Sequence, residues 1–338
     1  MISRILPVML DCRAPEKARL FYGEPENFGL ARLRGCLNRE SAAATGNMVN
    51  TGSWLMPRTV LHLGAHKTAT TYIQRKFAQN RGVLKRNDLH FFKLEQLRKS
   101  FTPLVYGAGK ENRAFIAQMA ELAAAGDVIV SEENILGMAG ELVKKGTFYP
   151  DAASRVKLVV KTLNVSAPDI YLSLREYSAF VVSMYCEYLR HQKFIKFETY
   201  MDAFRESGFN WVKVIRDVRS AAPNARIYLW DFAKFRTCEN QILSHMIGFD
   251  AAELNSQDES VRESFSQIAI SAYEALGTVL EGKEHRKMLQ ILSVNFPRGE
   301  QYPAFKPLSQ KEMASYQQKY AEDLEFIARE FEGVSFVV

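Results

Sequence analysis

The chain has 338 residues, 47% of them apolar, so it is long enough to bury a large core, as one elaborated domain or two. Its net charge of +6 is mild, and lysines and arginines are scattered with no run longer than two. That pattern suits small anionic ligands at least as well as nucleic acid, and no nucleic-acid partner is expected. Cys12, Cys36, Cys186 and Cys238 form no CxxC pair and no Cys/His set with metal-ligand spacing, so they read as free thiols in a reducing compartment. Ile5 to Leu10 is apolar but is interrupted by Pro7 and closed by Asp11, too short for a signal-peptide core. No later stretch approaches the roughly 20 apolar residues of a membrane helix, and a cytoplasmic location is expected.

Residues 1–55 show neither helical nor strand periodicity and read as a poorly patterned extension, with residues 56–338 forming the domain. Organised pattern begins at Arg58. The spacing predicts a strand over Thr59–Leu63, a helix from about Thr68 to Arg81, a helix over Arg113–Ala125 and a strand over Asp127–Val130. A helix over Ala152–Leu163 leads into a strand over Asp169–Leu174. Beyond Ser178, read as the N-cap, Val181, Val182, Tyr185 and Leu189 mark a helix of about four turns. Two further helices precede a strand over Ala225–Trp230, and the chain from about Glu239 reads as mostly helical. Short apolar strands separated by helices predict an α/β fold, a parallel sheet of about four or five strands flanked by helices.

The segment running from Val60 to Thr71 passes from an apolar strand through Gly64, Ala65, His66 and Lys67 into Thr68, Ala69, Thr70 and Thr71 at a helix start. Unpaired N–H groups at a helix N-terminus, the helix dipole, threonine hydroxyls and a lysine ammonium together make a phosphate cradle. A Walker A loop needs glycines where His66 and Leu61 stand, which argues against an ATPase or kinase. The segment resembles the 5′-phosphosulfate loop of sulfotransferases that use 3′-phosphoadenosine-5′-phosphosulfate (PAPS). Ala69 stands where that family usually carries glycine, so the backbone there is expected to do without a positive φ.

The resemblance continues at the strand Ile170 to Leu174, which ends in Arg175, with Ser183 eight residues further along. In that family an arginine and a serine at this spacing bind the 3′-phosphate, and a guanidinium at the carboxyl end of a parallel strand suits that task. The likeness covers about Arg58 to the C-terminus and is nearest to bacterial members. It implies a P-loop NTPase-like sulfotransferase fold, PAPS as donor, PAP as product, and no metal, since Lys67 and Arg175 supply positive charge. It also implies a small-molecule or glycan acceptor, a carbohydrate or glycolipid hydroxyl before an amine.

Lys67 is then the group that stabilises the leaving phosphate, with Thr70 and Thr71 on the 5′-phosphate. For the base, the strand ending at Val130 runs into Ser131, Glu132 and Glu133 at the same sheet edge. Glu132 is the first choice, Glu133 the alternative, and helix capping the structural reading of either. His66 is the rival base, His62 reads as a core histidine, and Asp231 reads as a helix start. Tyr185, Tyr188, Arg190, His191, Lys193, Phe194, Lys196 and Phe197 either line an acceptor groove or divide into core and solvated faces. The loop Asn295 to Glu300 either closes over the donor or is a plain connection. Two other readings stay open: a small-molecule kinase with a P-loop-like site, and a catalytically silent nucleotide-binding scaffold.

Overall fold

The computed structural model describes residues 57–338 apart from 142–146, 208–209, 256–263, 278 and 280–282. The expected extension at 1–55, with Cys12 and Cys36, lies outside the described residues; Cys186 and Cys238 are free.

The first half of the domain runs β1 (Thr59–His62), α1 (Thr70–Gln79), α2 (Arg81–Arg86), β2 (Leu89–Phe91), α3 (Leu94–Ser100), α4 (Thr102–Val105), α5 (Arg113–Ala125), β3 (Asp127–Ser131) and α6 (Ala152–Thr162). There follow β4 (Asp169–Leu174), α7 (Tyr177–His191), α8 (Phe197–Ser207), α9 (Trp211–Ala221), β5 (Arg226–Asp231) and α10 (Phe235–Ile247). The C-terminal part is helical through α11 (Gln267–Gly277), α12 (Lys283–Asn295) and α13 (Gln310–Glu330), and then β6 (Val334–Phe336) ends the sheet. Among the described residues no helix is long and apolar enough to cross a membrane.

All six strands lie in one parallel sheet, in the order β2-β3-β1-β4-β5-β6. The fold is α/β with helices on both faces, and it has two strands beyond the four legible as apolar runs. The alternation along each strand builds the two cores. Leu61, Val128, Val130, Ile170 and Leu172 face one helical layer, which includes α5 to α9. Val60, Ile129 and Tyr171 face the other, made of α1, α2 and α10. At the amino ends of the central strands, buried Asp169 is held by Arg58 at 2.5 Å and Arg226 at 2.6 Å.

Strand order also locates the ligand edge. The chain leaves β1 toward β2 and β3 on one side, and leaves β4 toward β5 and β6 on the other, although β1 and β4 are neighbours. A crevice opens beyond the carboxyl ends of two such strands, where α/β sheets bind ligands. The loop after β1 is the Gly64–Thr71 segment, and the residue after β4 is Arg175.

The structure corrects one expectation and decides between the two readings of another stretch. The N-cap of α7 is Glu176, whose carboxylate accepts from the Ser178 and Ala179 amides; Ser178 lies inside the helix and donates its hydroxyl to Glu176. The aromatic stretch Tyr185 to Phe197 does not line a groove as a set. Tyr185, Tyr188 and Phe197 are buried, and Tyr185 and Phe197 pack on Tyr200 and Phe305, while Lys193 and Lys196 face solvent.

His62 is fully buried, as a core histidine should be, bonded to Ser131 Oγ at 2.8 Å and stacked on Trp230. Burial pushes its pKa down to about 4. The unfolded chain binds a proton at this side chain below about pH 6.5 and the native chain does not until about pH 4. Stability therefore falls as pH drops through that window, by about 3 kcal/mol at pH 4 from this group. Urea unfolding across pH 4–8 checks this: His62→Leu should flatten the slope, and an unchanged slope contradicts the assignment.

Candidate functional site

The turn after β1 is shaped by its own hydroxyls. Thr68 Oγ1 donates to the Ala65 carbonyl at 2.6 Å and accepts from the Ala65 amide at 3.3 Å, and Thr70 Oγ1 donates to the same carbonyl at 3.2 Å. Gly64 has φ 54°, and a Cβ there would meet Thr70 Oγ1 at 2.5 Å, so only glycine fits beneath the threonine. Thr70 is thus buried against the loop, whereas Thr71 is exposed. The first amides of α1 receive no side-chain cap, which leaves donors at the crevice.

Ala69 departs from expectation. It adopts φ 63° and ψ 15°, the left-handed conformation that glycine would take more cheaply, so the positive φ is present despite the Cβ. Lys67 and Tyr149 also have positive φ, at 63° and 46°. Such strain concentrates at binding and catalytic sites. A left-handed alanine costs about 1–2 kcal/mol, partly offset by the lower entropy of its unfolded state. Ala69→Gly is therefore expected to raise stability by about 0.5–1 kcal/mol in a urea melt. A loss of stability would contradict the left-handed backbone.

His66 is buried and spoken for. Its amide donates to Tyr149 Oη at 3.0 Å, its Nδ1 lies 3.1 Å from the same oxygen, and its Nε2 lies 3.3 Å from Asn134 Oδ1. The arrangement that satisfies all three has Tyr149 donating to Nδ1 and Nε2–H donating to Asn134. Burial lowers its pKa and keeps the ring neutral. With its lone pair engaged, His66 fixes the loop and is poorly placed to act as a base.

The two acidic residues after β3 are not alternates of a strand, because the chain turns into a 3₁₀ turn at Glu133–Ile135. Glu132 caps that turn, accepting from the Asn134 amide at 3.1 Å, from Thr102 Oγ1 at 3.2 Å, and from Arg98 Nε at 3.1 Å and Nη2 at 3.4 Å. It is 0% exposed. Burial and neighbouring Glu133 raise its pKa, against the pull of Arg98. The geometry matches the capping reading of this residue. Glu133 is held by Gln74 at 2.9 Å and Arg98 at 3.0 Å; burial opposes its charge, but the Arg98 charge and the hydrogen bonds to its carboxylate outweigh that and lower its pKa. Asp231 likewise caps, accepting from the Ala233 amide and Tyr320 Oη.

Lys67 and Arg175 do come together. Arg175 Nη1 donates to the Lys67 carbonyl at 2.5 Å, which ties the end of β4 to the loop after β1. The Arg175 guanidinium lies 4.9 Å from the Phe232 ring centroid, and the Trp211 indole fixes the Arg175 carbonyl at 2.9 Å. Its Nε is buried with no hydrogen-bond partner, and no described carboxylate is within ion-pair distance. Burial pulls its pKa down to about 10. The neighbouring Glu176 carboxylate only partly offsets that burial, and a buried orphan N–H on a half-buried guanidinium is a costly arrangement that a bound anion would relieve.

Ser183 sits buried on α7. One turn later comes Glu187, which no sequence motif singles out. Its Oε2 lies 3.4 Å from Lys67 Nζ and 3.8 Å from Arg190 Nε, and its Oε1 lies 3.1 Å from His191 Nε2. Burial opposes its charge, but Lys67, His191 and Arg190 outweigh that and lower its pKa. The i, i+4 step from Ser183 was the available signal, since both positions share the helix face toward the loop. Tyr149 and Asn134 had none. No cluster of three or more His, Cys, Asp or Glu side chains poised for a metal occurs among the described residues.

The chain matches no protein-family model and no curated protein sequence. Among solved structures it is similar to the crystal structure of a sulfotransferase from Alicyclobacillus acidocaldarius, at 14% identity and a TM-score of 0.36, covering 70% of this chain and 95% of that one. A likeness at that level carries no functional weight, which rests instead on the geometry of Lys67, Arg175 and Glu187.

Proposed function

We propose that the chain is a PAPS-dependent sulfotransferase acting on a carbohydrate or glycolipid hydroxyl. The supporting observation is Arg175: a half-buried guanidinium whose buried Nε has no hydrogen-bond partner and whose Nη1 is bonded to the backbone of the phosphate-cradle lysine. In this reading the α1 amides and Thr71 hold the 5′-phosphate, and Arg175 with Ser183 holds the 3′-phosphate. The orphan Arg175 Nε is the fit between these residues and such a donor.

PAPS supplies the transferable sulfuryl group; the chain supplies position and charge. The acceptor oxygen forms a bond to sulfur while the bond from sulfur to the bridging oxygen of the 5′-phosphate breaks. The electron pair stays on that oxygen, beside Lys67. The hydroxyl proton passes to a carboxylate, and Glu187 is the one that faces Lys67, at 3.4 Å. Glu132 is sealed beneath Arg98 and Thr102 and serves the fold.

Sulfur-35-labelled PAPS tests the reading. Wild type should release PAP, slowly to water with sulfate as the other product and faster with acceptor sugars, and Arg175→Ala should not. Consumption of ATP with magnesium in place of PAPS would reverse the assignment.

A further inference from the structure

Beside the crevice lies a cavity of about 230 Å³ lined by Arg190, Ser264, Phe265, Ser293, Phe296 and Arg298, among others. Pockets that enclose a whole ligand begin at about 300 Å³, so this one suits a single substituent. Two guanidinium groups face it from different elements. Arg190, on α7, has its guanidinium carbon 4.3 Å from the Phe265 ring centroid, which holds the group against the cavity wall. Arg298 follows α12, is exposed, and donates to Ser264 Oγ at 3.1 Å. The fully buried Ser266 ties the two walls, donating to the Phe296 carbonyl at 2.6 Å and accepting from the Ala269 amide at 3.2 Å.

One carboxylate links Arg190 in the cavity wall to the loop after β1. Glu187 Oε2 stands between Lys67 Nζ and Arg190 Nε, at 3.4 and 3.8 Å. A sugar seated against Glu187 would have its reacting hydroxyl toward Lys67 and its neighbouring substituent toward Arg190 and Arg298.

We infer that this cavity is an acceptor subsite for an anionic substituent, so that the acceptor is an acidic saccharide carrying a carboxylate or a sulfate ester. The inference rests on the sulfuryl-transfer reading for the word acceptor, but the anion preference is measured without transfer. Two planar forks with adjacent hydroxyls suit a carboxylate or sulfate far better than a neutral hydroxyl.

Calorimetry on the full chain at constant ionic strength tests it, with three matched probes: cellotetraose, its C6-oxidised uronate and its C6-sulfate. At least one charged sugar should bind about tenfold or more tightly than the neutral one, the scale of hydrogen bonds to charged groups, and the arm that does so names the anion. Arg190→Gln with Arg298→Gln should erase the preference and leave PAP affinity unchanged. Because Arg298 is exposed, Arg298→Gln alone keeps the fold and should cut the preference at least about threefold. Equal binding of all three sugars overturns the inference, as does a preference that survives both substitutions. Loss of PAP affinity in the double variant overturns it too, by assigning the arginines to the donor. If wild type binds no PAP yet prefers a charged sugar, the donor reading fails and the subsite stands.

Discussion

Glu187→Gln is expected to lower turnover about 100-fold to 10,000-fold, the usual contribution of a positioned base, with little change in PAP binding. The substitution keeps size but removes the ability to take a proton together with the charge that pairs with Lys67, Arg190 and His191. The pH profile separates this from a structural effect. A base must be ionised, so turnover should fall as pH drops through the Glu187 pKa. Lys67, His191 and Arg190 hold that pKa below the ordinary carboxylate value, so the loss belongs on the acid side. Removing the carboxylate should remove that acid limb. A limb that survives Glu187→Gln would pass the role to Glu133. Glu132→Gln should act differently, loosening Arg98 and Thr102 and lowering stability rather than turnover.

Lys67→Met should cost about 100-fold to 1,000-fold in turnover, by analogy with loss of a single donor to a developing oxyanion. The ammonium matters most when the bridging phosphate oxygen gains charge, so the loss should fall on kcat more than on KM. It should also move the acid limb. Without Lys67, Glu187 loses the foremost cation that lowers its pKa, so the limb shifts to higher pH. A large turnover loss with an unmoved limb would separate the two residues and contradict the shared site.

The elements with strong periodicity were legible in the sequence, and those without it were not. Arg113–Ala125 and Asp169–Leu174 form as the pattern predicts, because a full apolar stripe or a fully buried run leaves little choice. β2 and β6 have three residues each and lie at the sheet edges, too short for alternation to register. The cap of α7 is misread from sequence because serine is a commoner N-cap than glutamate, yet Glu176 reaches two amides at once.

The site divides the same way. Local spacing brings out the loop from Gly64 to Thr71 and the residue ending β4. Local spacing misleads at Glu132, where strand alternation gives way to a turn. It also suggests that Ala69 would avoid a positive φ, whereas tertiary context imposes one. The Lys67–Glu187 pair joins residues 120 positions apart, and nothing in either segment announces the other. Arg190 reads in sequence as one member of an aromatic and basic run, but the helix turns it away from Lys193 and Lys196 and into a cavity of its own.

The most direct test of PAPS dependence is calorimetric binding of PAP against ADP and AMP, on wild type and on Arg175→Ala. The 3′-phosphate is expected to confer at least about 1.5 kcal/mol of preference on wild type and none on the variant. Equal binding of all three nucleotides, or a preference unchanged by Arg175→Ala, would contradict a donor site built on Arg175.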